Sequence, residues 1–88
     1  MSGYQRVGNS VSIPAGWTYD NTASCPAGKK VMGGGLEINI SGMSANDMIK
    51  LQMMRSFPLS DSQWTTQIYN ENGYAVSATF WAICAFAN

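Results

Sequence analysis

Apolar and polar residues alternate with a period of two along much of this chain, as strands with one buried face require. Val7, Val11 and Ile13 stand at odd positions among polar neighbours, which predicts a strand over residues 4–13, interrupted at Gly8 and ended by Pro14. After a turn at Pro14-Ala15-Gly16, residues 17–24 read as a second short strand with Trp17 and Tyr19 on one face. Pro26-Ala27-Gly28 is a further turn, because proline pre-sets φ and glycine accepts positive φ. Lys29 to Met32 begin a strand that three glycines, Gly33 to Gly35, interrupt before Leu36, Ile38 and Ile40 alternate with Glu37, Asn39 and Ser41. Consecutive glycines inside a strand mark a bulge, a bend, or the close approach of a ring or backbone.

Residues 43–57 carry two patterns. Ser44 with Asp47 three residues on has the form of a helix N-cap, with Met48, Ile49, Leu51, Met53 and Met54 following at helical spacing. The competing pattern places Ile49, Leu51, Met53, Arg55 and Phe57 on one face of a strand stopped by Pro58, and it agrees better with the rest of the chain. Leu59 to Ser62 then form a loop, Trp64, Thr66 and Ile68 alternate in another strand, and Asn72-Gly73 predicts a hairpin into a long last strand, Tyr74 to Phe86. Trp81, Ile83 and Ala85 make the second half of that strand apolar on both faces. Six or seven short strands separated by turns predict an all-β fold in one domain, a sandwich or a small barrel, of which the small antiparallel β-sandwich is favoured. A last strand apolar on both faces needs a second cover, either a loop of its own chain or a partner subunit, and the small size of the domain favours the subunit.

The composition narrows the partners. Eighty-eight residues carry five basic and five acidic side chains, so no net field draws nucleic acid or an anionic membrane, and no run is apolar enough to span a bilayer. A domain this small buries about two-thirds of its unfolded surface and usually relies on a staple or a partner. Cys25 and Cys84 are the two cysteines. They read either as a disulfide, contributing about 4 kcal/mol in an oxidising compartment, or as two buried thiols. The N-terminus lacks the apolar core of a secretory signal. A disulfide without such a signal fits a mature fragment of a secreted protein, or a virion protein released by lysis.

Catalytic chemistry is sparse. The chain has no histidine, which removes Ser-His-Asp triads, Cys-His dyads and histidine metal sites. Asp20, Glu37, Asp47, Asp61 and Glu71 lie in separate segments, and Lys29-Lys30 precede the glycines where a phosphate loop needs them after. Neither an enzyme nor a cofactor is expected. The aromatics allow a sugar-stacking surface, for which Trp17, Tyr19 and Trp64 with the amides of Asn70 and Asn72 are the candidates; the competing reading puts Trp17 and Trp64 in the core. Trp81 and Ile83, together with the adaptable thioethers of Met48, Met53 and Met54, are the candidates for a protein interface.

Four segments, Cys25 to Gly35, Ser56-Phe57-Pro58, Trp64 to Asn70 and Ala82-Ile83-Cys84-Ala85, together carry a wider resemblance. The chain resembles a short β domain that recurs at the C-termini of phage tail-fibre and other virion proteins, bacterial collagen-like proteins and secreted bacterial proteins. The resemblance implies a disulfide-linked β-sandwich, used as a surface-exposed terminal module and often found beside trimeric stalks. The expected function is a non-enzymatic virion surface protein, decorating a capsid or tail or touching a host receptor from a fibre tip. It would act as a homo-oligomer, a trimer by preference, with other virion proteins or a cell-surface glycan as partners. The alternative is a secreted bacterial carbohydrate-binding module. Either places the protein on a virion surface or outside cells.

Overall fold

A computed structural model describes residues 2–86. Six strands, β1 (Ser2–Ile13), β2 (Thr18–Ser24), β3 (Lys30–Ile38), β4 (Leu51–Ser60), β5 (Gln63–Asn70) and β6 (Val76–Phe86), are joined by turns and one single-turn helix, α1 (Ala45–Met48). They form two three-stranded antiparallel sheets, ordered β1-β6-β3 and β2-β5-β4, packed as a sandwich. The alternating residues build the core as expected. Ile13, Ile68, Ala78 and Phe80 fill one half with Tyr19, Leu36 and Leu51 against them, and Ala23, Ala82 and Cys84 fill the other with Val7, Val31 and Trp64.

The second half of the core is built of small residues, and a bond and a ring complete it. Cys25, just after β2, is disulfide-bonded to Cys84 on β6, with Cα atoms 5.7 Å apart, so the staple ties one sheet to the other. Trp64 on β5 lies under Gly34 of β3, where any Cβ would overlap its ring, and its indole N–H donates to Ser56 Oγ at 2.7 Å. The glycine run is thus a continuous strand with a bulge between Val31 and Gly33.

Several expectations are corrected. The segment 43–57 is both helix and strand: the capping box of Ser44 and Asp47 closes one turn, and β4 begins at Leu51. Pro58 and Leu59 do not end it or form a loop, since β4 runs on to Ser60. It is an edge strand, where a proline needs no outer partner, and a bulge between Pro58 and Ser60 absorbs the misfit. Asn72-Gly73 does not make a hairpin, because β5 and β6 belong to opposite sheets and residues 71–75 cross between them. Trp17 precedes β2 and does not share a strand face with Tyr19.

Candidate functional site

The strand directions divide the molecule into two unlike ends. At one lie the β2–β3 and β4–β5 turns, the disulfide, and the paired Ser2 and Phe86 at the two ends of the described chain. At the other lie the three connections 14–17, 39–50 and 71–75. Asn70, fully buried, organises that loop end: its amide nitrogen donates to the carbonyls of Ile13, Pro14 and Tyr74, and its Oδ1 accepts from Asn72 N–H at 3.0 Å. Asn72, also buried, donates to the carbonyl of Asp47. The Tyr74 hydroxyl donates to Asp47 Oδ2 at 2.9 Å, which holds that carboxyl below its ordinary range; partial desolvation, then the same bond, raises the Tyr74 hydroxyl. The loop carrying α1 is therefore fastened to the β5–β6 connection.

The sugar candidates do not share a surface. Tyr19 packs inward with its ring 6.0 Å from Phe80, Trp64 lies in the core, and Asn70 and Asn72 spend their amides on the loops. Trp17 alone of the five is solvent-exposed, at 58%. Their sequence spacing did not reveal which amides were structural, because the loops Asn70 binds are distant in the chain.

The interface candidates occupy two separate surfaces, one on each sheet. Trp81 and Ile83 are half-buried on the outer face of β1-β6-β3. Trp81 is flanked in register by Gly8 and Gly35, and its ring lies over Gly8, where a Cβ would stand 2.6 Å from it; the Gly35 side is open. The Arg6 guanidinium lies over the ring, 6.0 Å from its centroid. Met48, Met53 and Met54 are exposed along α1 and the β4 edge. Met53 is the informative one. It pairs with the core residue Ile68, so it faces the sandwich interior, yet it is 57% exposed. Pro58, opposite Trp64, is exposed in the same way. The sandwich is open along β4.

Beyond Trp81 the same outer face turns polar. Ser10, Thr79 and Glu37 form one cross-strand row, and Ser12, Ser77 and Asn39 the next. The loop 39–41 walls these rows into an open trough of about 810 Å³. Sequence reading passed over this trough because its residues, taken singly, are ordinary solvent-facing positions. Among the described residues no cluster of His, Cys, Asp or Glu is arranged to hold a metal.

Over 70 residues, 78% of this chain, the sequence is 33% identical to shufflon protein B' of Escherichia coli. The chain spans 14% of that relative's length. No family model matches the chain, and no solved structure matches it. The disulfide and this likeness are consistent with a protein of the cell or particle surface. No helix among the described residues is long and apolar enough to cross a membrane.

Proposed function

We propose that this chain is a non-enzymatic surface module of a virion or fibre, a capsid or tail decoration or a receptor-contacting tip, that works as a homo-oligomer, a trimer by preference. The observation that carries the reading is the open β4 flank. A strand whose inward-facing Met53 and Pro58 meet solvent, beside exposed Met54 and Met48, is an unfinished side of a core, and burying apolar area at about 25 cal/mol per Å² is what finishes one. The half-buried Trp81 and Ile83 add apolar surface on the outer face of the other sheet. Similarity to a shufflon protein supports a surface assignment over an enzymatic one.

Sedimentation equilibrium tests the reading. A mass three times that of the 9.5 kDa chain, reduced to one chain by Met53→Gln with Met54→Gln while the melting temperature of the monomer holds, is the expected result. A monomer at every accessible concentration counts against it. The second reading, a secreted carbohydrate-binding module, is favoured by one observation: a tryptophan beside two rows of hydroxyl, amide and carboxylate groups on one face.

A further inference from the structure

We propose that the trough on the outer face of β1-β6-β3 is a binding site for a neutral saccharide. This rests on the second reading above and is independent of oligomer state. The floor is a grid. Ser10, Thr79 and Glu37 cross the sheet in one row and Ser12, Ser77 and Asn39 in the next, with polar groups about 4.8 Å apart between strands and about 6.8 Å along them. The row on the other side is Gly8, Trp81 and Gly35, so one aromatic ring borders the polar grid with no side chain competing for the space over Gly35.

The chemistry of the grid selects the ligand class. β6 is the central strand, paired on both sides, so its backbone N–H and C=O groups are committed to the ladder and recognition falls to side chains. Ser10 and Thr79 hydroxyls bond each other at 3.1 Å, which uses one hydroxyl hydrogen and leaves the other. Asn39 Oδ1 accepts from Ser41 N–H, leaving its NH₂ to donate, while Glu37 offers only acceptors. Closely spaced donors and acceptors in both senses match a polyol, whose hydroxyls do both. Trp81 borders the grid without lining the trough, and its ring already lies against Gly8 and Arg6, so recognition rests on the polar side chains. An extended peptide would instead pair with a free strand edge, and the trough lies over the face of the sheet, not along its edge. The lone charge lining it is the Glu37 carboxylate, which disfavours acidic sugars. The volume of about 810 Å³ falls within the roughly 300–1,000 Å³ of small-molecule sites.

The test is a two-dimensional NMR titration of the ¹⁵N-labelled protein with glucose, galactose, mannose, N-acetylglucosamine and their short homo-oligomers at millimolar concentration. The expected result is shifts confined to residues 10–12, 37–41 and 77–81, including the Trp81 indole, with at least one sugar. Glu37→Gln and Thr79→Val weaken that binding by roughly tenfold each, the loss of about one hydrogen bond, and Asp20→Asn on the opposite outer face leaves it unchanged. Unaltered melting temperatures show that both variants stay folded. Repeating the titration on the Met53→Gln, Met54→Gln variant separates this site from the oligomer reading. The proposal is overturned by an absence of shifts with every sugar, by shifts centred on Trp17 or Tyr74, by equal binding in the trough variants, or by N-acetylneuraminic acid binding more tightly than the neutral sugars.

Discussion

Replacing Gly34 with alanine drives one methyl group into the ring of Trp64, the largest side chain of the disulfide half of the core. The overlapped atoms include the ring carbon attached to the tryptophan Cβ, so the ring cannot swing its far end away, and Trp64 must leave its rotamer or β3 must lift. Overpacking of this kind costs about 1–3 kcal/mol, and losing the Trp64–Ser56 hydrogen bond adds about 1 kcal/mol. A total of about 2–4 kcal/mol corresponds to a fall in melting temperature of roughly 10–30 °C for a domain of this length. Gly35→Ala is the internal control, one residue along the same strand with nothing within 4 Å of its added Cβ. Thermal melts followed by near-ultraviolet circular dichroism compare the two, with Gly34→Ala/Trp64→Leu closing a double-mutant cycle. The second substitution should cost less in the Gly34→Ala background than in the native one, since the clash has already been made. Equal stability of the two single variants within about 0.5 kcal/mol, or strict additivity in the cycle, refutes the packing argument.

Three further outcomes are expected. Reducing Cys25–Cys84, or replacing Cys84 with alanine, removes about 4 kcal/mol for a closed loop of this length, read as a large drop in melting temperature with reductant and a gain of two thiols by mass spectrometry. Asn70→Ala strands the carbonyls of Ile13, Pro14 and Tyr74 and the Asn72 N–H in a buried place; a loss of about 3 kcal/mol in denaturant unfolding is expected, and Asn70→Asp restores little of it because the NH₂ donor is gone. The Asp47–Tyr74 contact sets a pH window. A lowered carboxyl contributes stability above its unfolded value that is lost as pH falls through the folded one, and a raised tyrosine contributes stability lost as pH climbs past about 10. The protection of residues 45–50 against amide exchange, relative to the free-peptide rate at each pH, should therefore fall below about pH 4 and above about pH 10. Tyr74→Phe should weaken the acid limb without abolishing it, since the Ser44 bonds and Lys50 also favour the Asp47 carboxylate.

What could be read from the sequence was what repeats locally. Period-two runs such as Leu36-Glu37-Ile38 and Trp64 to Ile68 located strands, and the Ser44–Asp47 box located a helix turn, because these signals lie within a few residues. Which strands pair is a long-range matter. Asn72-Gly73 has hairpin chemistry, but the buried amide of Asn70 pulls the Ile13–Pro14 turn and Tyr74 onto itself and sends β6 to the other sheet. The trough was hidden for the same reason: Ser10, Glu37 and Thr79 become neighbours only once β6 lies between β1 and β3.

The position of the disulfide also decides how the domain bears mechanical load. Ser2 and Phe86 are paired, so opposing pulls on the two ends of the described chain would peel β6 from β1 one ladder rung at a time, the weak direction for a sheet. Cys25 follows β1 and β2, so its link to Cys84 leaves those strands free to peel; the tension then passes through the bond and bypasses residues 26–83. A pull between the N-terminus and a ligand held at the opposite end instead loads the β1–β6 ladder in shear, where the rungs resist together. The disulfide is thus a shunt: an unzipping pull strips the strands before Cys25, while the chain between the two cysteines stays out of the load path.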